Sequence, residues 1–346
     1  MIIPTSLARR CLGIAIALSL TTTARADDVA TRFERIVAEG LPTTFAIHHR
    51  AVDGDEGTSS LMTIDERLPV ELAFPDGTTG SMYAGTLDGQ DIVATRHDGH
   101  VELDDERHLT RRVTDMTPTP HATRNRRAQA LAQDGSPRTV NVHFLLHENL
   151  RERFTADDIH HDYVAWWLKD MTKTILPFMR IVVHYHMSDM PEAEGSPSHM
   201  MPGGIMRLDL RNANALQVVA DAAEVMFARV DGTADAHLNK LVMLVGGELK
   251  GNIDGMAYQR GAAAIASVDG SYRVVAHELG HLFGAEHDDG AVLYRGGWWC
   301  ESNMYPVVFQ LRSKCYAYTR ENQRRIRNYA IAGPESVFAG ATPIED

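Results

Sequence analysis

Residues 277–288 read His277-Glu278-Leu279-Gly280-His281-Leu282-Phe283-Gly284-Ala285-Glu286-His287-Asp288, and no other stretch restricts the fold as much. Two histidines four apart lie on one face of a helix, about a turn from each other, and can reach a common point. Gly284 can end that helix in the left-handed conformation that a side chain resists. The chain then turns, and His287 can come round to the same point. Three converging imidazoles with a fourth position open form the donor set of a catalytic zinc ion, whereas a structural zinc is closed by four protein ligands. Glu278, offset round the helix, stands beside such an ion rather than on it, where its carboxylate can act as general base towards a metal-activated water. With 17 His, 27 Gly and 19 Glu in 346 residues, the five fixed positions coincide by chance only about 2 × 10⁻⁴ times. Scattered surface histidines do not account for that.

The chain is large enough to house such a site. With 44% hydrophobic and 23% charged positions, it can form two domains or one large one, and it is neither disordered nor a polytopic membrane protein. A formal net charge of −12 argues against sequence-independent nucleic-acid binding, which needs a basic face. At the start, Arg9-Arg10, the apolar run Cys11 to Leu20 and Ala24-Arg25-Ala26 follow in the order of a secretory signal peptide. Residues 1–26 are therefore expected to be removed and the remainder secreted, to the extracellular space or a periplasm. The run is shorter than the roughly 20 residues that span a bilayer, so no stable membrane anchor is expected. Removal takes three arginines and no acid, moving the formal charge from −12 to −15, and leaves Cys300 and Cys315. An even pair in an oxidising compartment reads as a disulfide, with free thiols as the alternative.

Between about residues 40 and 113, short alternating runs are separated by Asp76-Gly77, Asp88-Gly89 and Asp98-Gly99. Asp-Gly supplies the positive φ angles of tight hairpin turns. Val70–Phe74, Thr79–Thr86, Ile92–Arg96 and His100–Leu103 are predicted strands of a small antiparallel meander, the centre of a mainly-β N-terminal domain at 27–127. Thr117-Pro118-Thr119-Pro120 and Arg124-Asn125-Arg126-Arg127 break the pattern, and residues 128–138 read as a linker, either plainly solvated or a processing site. Over 139–346 strands alternate with helices. Strands are predicted at Val140–Leu146, Ile181–Tyr185, Leu241–Val245, Met256–Tyr258 and Ala262–Ala266, and helices at Thr155–Leu176, Asn212–Arg229 and Ser271–Phe283. That alternation predicts an α/β (α+β) domain with a mixed sheet and helices packed on it. Of Trp166 and Trp167, one is expected in the core and one partly exposed. His143, His147, His184 and His186 lie at same-face strand spacings; satisfied polar groups are the favoured reading over a second metal site, since no carboxylate or cysteine accompanies them.

His277–His287 matches H-E-x-x-H-x-x-G-x-x-H, and in this the chain resembles the metzincin zinc metallopeptidases. Asn303-Met304-Tyr305-Pro306 resembles the methionine turn that forms a hydrophobic floor beneath their histidines. Asp288 after the third histidine, and a proline two after the methionine, resemble the adamalysin (reprolysin) family rather than the astacins. Gly255-Met256-Ala257-Tyr258 is similar to the family's edge strand above the cleft, which takes an extended peptide antiparallel by strand addition, and Ala262–Ser267 to the next strand. The resemblance spans about residues 136–331. It implies a metzincin-like catalytic domain with an active-site helix, Zn2+ on His277, His281 and His287, and Glu278 as catalytic base. It further implies that Asp288 orients the helix and its turn, that Met304 shapes the floor, and that the substrate is a protein or peptide. Residues 27–127 stand where the family has its propeptide. The chain departs from the family in having no cysteine between Cys11 and Cys300, so a propeptide cysteine cannot cap the zinc. Latency would rest on steric cover or another ligand; His97 and His100 are candidates, against the simpler reading of a solvated turn. A single cysteine pair is fewer than adamalysins tend to carry, as in a pared-down, bacterial secreted member.

These readings converge on a secreted zinc-dependent endopeptidase. The alternative is a toxin-type or adhesion protein in which the metzincin domain is delivered by, or secondary to, the N-terminal module; an intact Glu278 speaks against a degenerate enzyme. Mass spectrometry of secreted material separates the two. A new N-terminus within 124–138 marks a propeptide, and one at Asp27 a permanent module.

Overall fold

The computed structural model describes residues 28–51, 57–105, 109–118, 138–187, 214–230, 236–247, 253–295, 297–307, 311–333 and 343–345, with 208, 209, 249 and 309 singly. The signal-peptide reading, the Arg124–Arg127 cluster and the loop 191–204 lie outside these residues. Asp88 and Asp98 have φ of 49° and 42° and the glycines after them 81° and 76°, so both hairpins turn as the Asp-Gly pairs require. They join β3 (Thr79–Leu87), β4 (Gln90–His97) and β5 (His100–Asp105). The expected four-stranded meander is, however, a closed six-stranded antiparallel barrel. β1 (Thr43–Ala51) pairs with both β2 (Gly57–Ala73) and β6 (Thr110–Pro118), which brings the first strand round to the last. Closure removes the unpaired edges that a meander would expose. Phe33 on α1 (Val29–Ala38) stops the barrel with an edge-on contact to Tyr83 at 4.9 Å between ring centroids.

β2 is long enough to serve two structures. Its first part closes the barrel, and Val70–Ala73 pair in parallel with Ile181–His184 of β8 (Arg180–Met187). From there one sheet continues through β7 (Thr139–Leu146), β9 (Asn239–Val245), β11 (Ala263–Ser267) and β10 (Gly255–Tyr258). β8, β7, β9 and β11 run parallel and β10 antiparallel, so the sheet is mixed, as predicted. β9 is buried at every residue because helices cover both faces. Leu241, Met243 and Val245 pack with Val219, Ala223 and Met226 of α4 (Ala215–Val230). Val242 and Leu244 face the larger core with Val275, Leu279 and Leu282 of α5 (Val274–Leu282).

The helix expected from Thr155 runs as α2 (Ala156–Ile159), a π-turn at His160–Val164, α3 (Ala165–Asp170) and a second π-turn at Met171–Ile175. Thr155 caps it in a reciprocal box with Asp158, satisfying two of the first-turn donors. Trp166 and Trp167 are 9% and 2% exposed, so the expectation that one is partly exposed is corrected. The barrel covers the flank of this helix that a separate domain would leave to solvent: Lys169, whose ammonium lies over the Trp166 ring, pairs with Asp91 of β4.

Candidate metal centre

α5 is buried along its whole length, which fixes the rings it carries. His277 Nδ1 lies 2.6 Å from the Asn303 carbonyl, and His281 Nδ1 lies 3.2 Å from the Ala285 carbonyl and 3.1 Å from Gln259 Oε1. Carbonyl oxygens only accept, so each Nδ1–H donates, and Nε2 of the neutral ring presents a lone pair. After α5, Gly284 has φ of 87°, its N–H donates to the His281 carbonyl and that of Ala285 to Gly280. The turn delivers His287 as the spacing predicts.

His287 Nε2 then stands 2.9 Å from both His277 Nε2 and His281 Nε2. With one proton on His287 Nε2, both contacts would have to share it in a weak three-centre bond, with the two acceptor lone pairs otherwise facing the same small space. A cation between the three nitrogens would engage all three lone pairs at once. Three imidazoles, two of them oriented through Nδ1 by carbonyl oxygens, fit zinc, and among the described residues this is the group of histidines, cysteines and acids that could hold a metal ion.

Glu278 is fully buried and lies against the start of β10. A Cβ built on Gly255 would sit 2.6 Å from Glu278 Cδ and 2.8 Å from Cγ, and closer still to Oε1. Beneath the helix, Met304 is fully buried, and a Cβ on Gly280 would collide with its sulfur and come within 2.9 Å of Tyr318 Cε1. The Tyr318 hydroxyl donates to the Ala276 carbonyl. At the helix entrance, buried Arg273 donates to the Ser302 carbonyl at 2.9 Å, tying α5 to the segment that carries Met304.

The turn bearing His287 is held from outside. Asn322 on α6 (Arg320–Ala332) accepts from Glu286 N at 2.8 Å and donates to the Glu286 carbonyl at 3.0 Å. Arg325 donates to Asp289 at 2.5 Å and to Glu286 at 2.9 Å. Asp288 itself is exposed. Sequence reasoning missed Asn322, Arg325, Arg273 and Gln259, since nothing in their local pattern marks them. Gly255 had a readable sign, a glycine opening the strand that faces Glu278.

Cys300 and Cys315 form a disulfide across 15 residues, joining β13 (Trp298–Glu301) to the chain just after β14 (Ser313–Lys314) in a small sheet with β12 (Val292–Arg295). Trp298 and Trp299 are exposed on that sheet. Replacing both cysteines by serine should lower stability by about 3 kcal/mol through the freed loop. Urea titration of the double variant against the parent checks this.

The other histidines do not join the centre. His97 bonds to Thr78, pairs with Asp157 at 3.0 Å and stacks on Phe74, so it is neither a ligand nor a merely solvated residue. His100 opens β5 at the rim of the barrel. His143 stacks on His184 with 4.4 Å between centroids and meets His186 Nε2 at 3.1 Å. Burial holds His143 well below its ordinary pKa, and takes His186 down to about 4. His147 bonds to the Leu208 carbonyl.

On the outer side of β10, Pro343–Glu345 (β15) adds an antiparallel strand, with Tyr258 opposite Pro343 and Met256 opposite Glu345.

Residues 212–324 match a family model described as Reprolysin_5, Metallo-peptidase family M12. That segment contains α5, His287 and Met304. The resemblance to metzincin-like metallopeptidases is thereby borne out. A solved structure, metalloproteinase-II from Bacteroides fragilis, is similar at 13% identity with a TM-score of 0.42, over 87% of this chain and 96% of its own. No curated protein sequence matches the chain.

Proposed function

We propose that this protein is a secreted zinc-dependent endopeptidase of the metzincin type, closest in its motif to the adamalysins. The observation that supports the reading best is the convergence of His277, His281 and His287 through Nε2, with the buried Glu278 carboxylate on the same helix and an extended strand alongside. His277, His281 and His287 would hold the ion; when bound, zinc polarises a carbonyl oxygen and makes a water molecule more acidic.

The remaining work falls to the chain's own groups. Glu278 takes the proton of the attacking water and passes it to the leaving amine, in a position free of competing solvent. The Asn303 and Ala285 carbonyls keep the His277 and His281 rings in one tautomer and one orientation. β10 aligns an extended peptide antiparallel beside Glu278, and Met304 supports the histidines from below. Asp288 lies in the turn that delivers His287 and, with Asp289 and Glu286, adds negative charge facing Arg325.

The purified protein should bind one zinc per chain, measured by inductively coupled plasma mass spectrometry, and cleave casein or an unbiased peptide library. A chelator should abolish cleavage and added zinc restore it. A zinc-loaded, folded chain that leaves every peptide in the library intact would sink the reading.

A further inference from the structure

The surface made by β8 and the helical segment from Ala156 to Ile175 is fitted to one partner, residues 29–118 of the same chain. Three kinds of contact meet there. The first is main-chain pairing, where Val70–Ala73 of the barrel's longest strand extend the C-terminal sheet along Ile181–His184. The second is apolar. Leu68, Leu72, Phe74, Met82, Ala84 and Val93 of the barrel share one buried cluster with Val164, Leu168, Ile181, Val183 and Tyr185. Each of these barrel side chains is at most 6% exposed, so parting the two halves would open a continuous core rather than a rim.

The third is polar and buried. His161 places Nε2 2.7 Å from Glu102 and Nδ1 2.8 Å from Asp104. Both ring nitrogens face carboxylates, which requires the imidazolium. Arg112 of β6 backs Glu102 at 2.6 Å, Thr110 donates to Asp104 at 2.8 Å, and the ring of His160 lies edge-on 5.0 Å from that of His161. His160 in turn bridges Thr95 of the barrel at 3.0 Å and Tyr185 of β8 at 2.8 Å. Around this centre run Lys169 to Asp91, Lys173 to Glu66 and Arg180 to Glu71.

The barrel also stands far from the candidate cleft within the sheet. β7, β9 and β11 separate β8 from β10. An element placed to plug the cleft would instead lie along β10.

We infer that the barrel is a permanent structural partner of the C-terminal half, so that cleavage in the 119–137 segment yields a tight two-chain protein rather than a released catalytic fragment. This goes beyond the peptidase reading and does not depend on it, because its test reads association and not turnover.

The pH range of the junction follows from the buried groups. Burial raises the Glu102 carboxyl, but the His161 and Arg112 partners outweigh it and take the group from 4.5 to about 2. Its contribution is complete above 4.5 and is lost as pH falls towards 2. Burial lowers the His161 imidazole, but Asp104 and Glu102 outweigh it and hold the group well above 6.5. Its contribution is complete below 6.5 and is lost as pH rises through that elevated value. Burial, with His161 and His97 nearby, holds the His160 imidazole well below 6.5, so its neutral, buried state loses ground as pH falls below 6.5. Cohesion is therefore greatest near pH 6.5 and on the alkaline side until His161 deprotonates.

The experiment uses the chain from residue 27 onward as Glu278→Gln, to prevent self-digestion, with a site-specific protease sequence inserted between Arg127 and Ala128. After complete cutting, the two fragments should co-elute at pH 6 in 0.5 M salt, separate only in denaturant, and reassemble on its removal. A C-terminal fragment that elutes alone, monomeric and with a cooperative thermal transition, overturns the inference. Leu72→Glu is the second arm. If that chain folds uncut, cutting should release an aggregating C-terminal fragment; if it fails to fold uncut, the barrel is already shown to be required. A soluble, folded C-terminal fragment from the cut variant again overturns the inference.

Discussion

Glu278→Gln should retain one zinc per chain and lose about 10²–10⁴-fold in kcat, the usual contribution of a positioned general base. The substitution keeps the shape and one acceptor oxygen of a fully buried side chain and removes only the capacity to take a proton. Glu278 is not among the three converging Nε2 atoms, of His277, His281 and His287, so metal content should stay constant while turnover falls. KM should change little, because the carboxylate is assigned to the attacking water and not to the peptide. Zinc analysis and initial rates on one peptide substrate check this together. Unchanged kcat in a zinc-replete variant would remove Glu278 from the mechanism and leave the metal reading standing; loss of zinc would show that the carboxylate supports the site rather than the reaction.

Gly255→Ala should cost about 10²-fold in kcat with little loss of fold stability. The added methyl would lie 2.6 Å from Glu278 Cδ and 2.8 Å from Cγ, distances that bonded chemistry aside no carbon tolerates. The obstacle is the end of a side chain and not backbone, so the fold can accommodate it by swinging the carboxylate away. Relief of the clash is thus the displacement of the proposed base, and a misplacement of about 1 Å is enough for a loss of that size. Alanine also suits a strand better than glycine does. The thermal midpoint should therefore hold while turnover drops, and the double variant with Glu278→Gln should be scarcely worse than Glu278→Gln alone, since both changes disable one function. Additive losses would place the effect of Gly255 somewhere other than Glu278.

What could be read from the sequence was what local geometry dictates. Four-residue spacing placed His277 and His281 on one helix face, Gly284 marked the turn, Thr155 marked a helix start, and the Asp-Gly pairs marked hairpins. Each depends on a few adjacent residues whose conformational preferences are strong. Closure of the barrel was not legible, because β1 meets β6 across some seventy residues of chain and nothing in either strand names its partner. The shared length of β2 was hidden for the same reason, and the reading of Trp166 and Trp167 failed with it, since the barrel covers a helix flank that a separate domain would expose. Around the candidate metal centre, the orienting groups on His277 and His281 are largely main-chain carbonyls. Every residue has a carbonyl, so no side-chain pattern announces them.

The topology also limits where a foreign strand can add. One end of the large sheet is rolled into the barrel and offers no margin, and at the other end, among the described strands, only the three residues of β15 lie outside β10. Unpaired main-chain groups recruit extended chains with little regard for sequence, which makes an open margin an aggregation hazard. Within the large sheet, among the described strands, that recruitment is confined to the side where a captured peptide would meet Glu278. Pro343–Glu345 already occupy the margin, and a strand tethered within the same chain competes at an effective concentration of roughly millimolar order. On the proposed reading, an incoming peptide would be selected by exchange, and the affinity it displays would be the ratio of its own pairing to that of the resident strand.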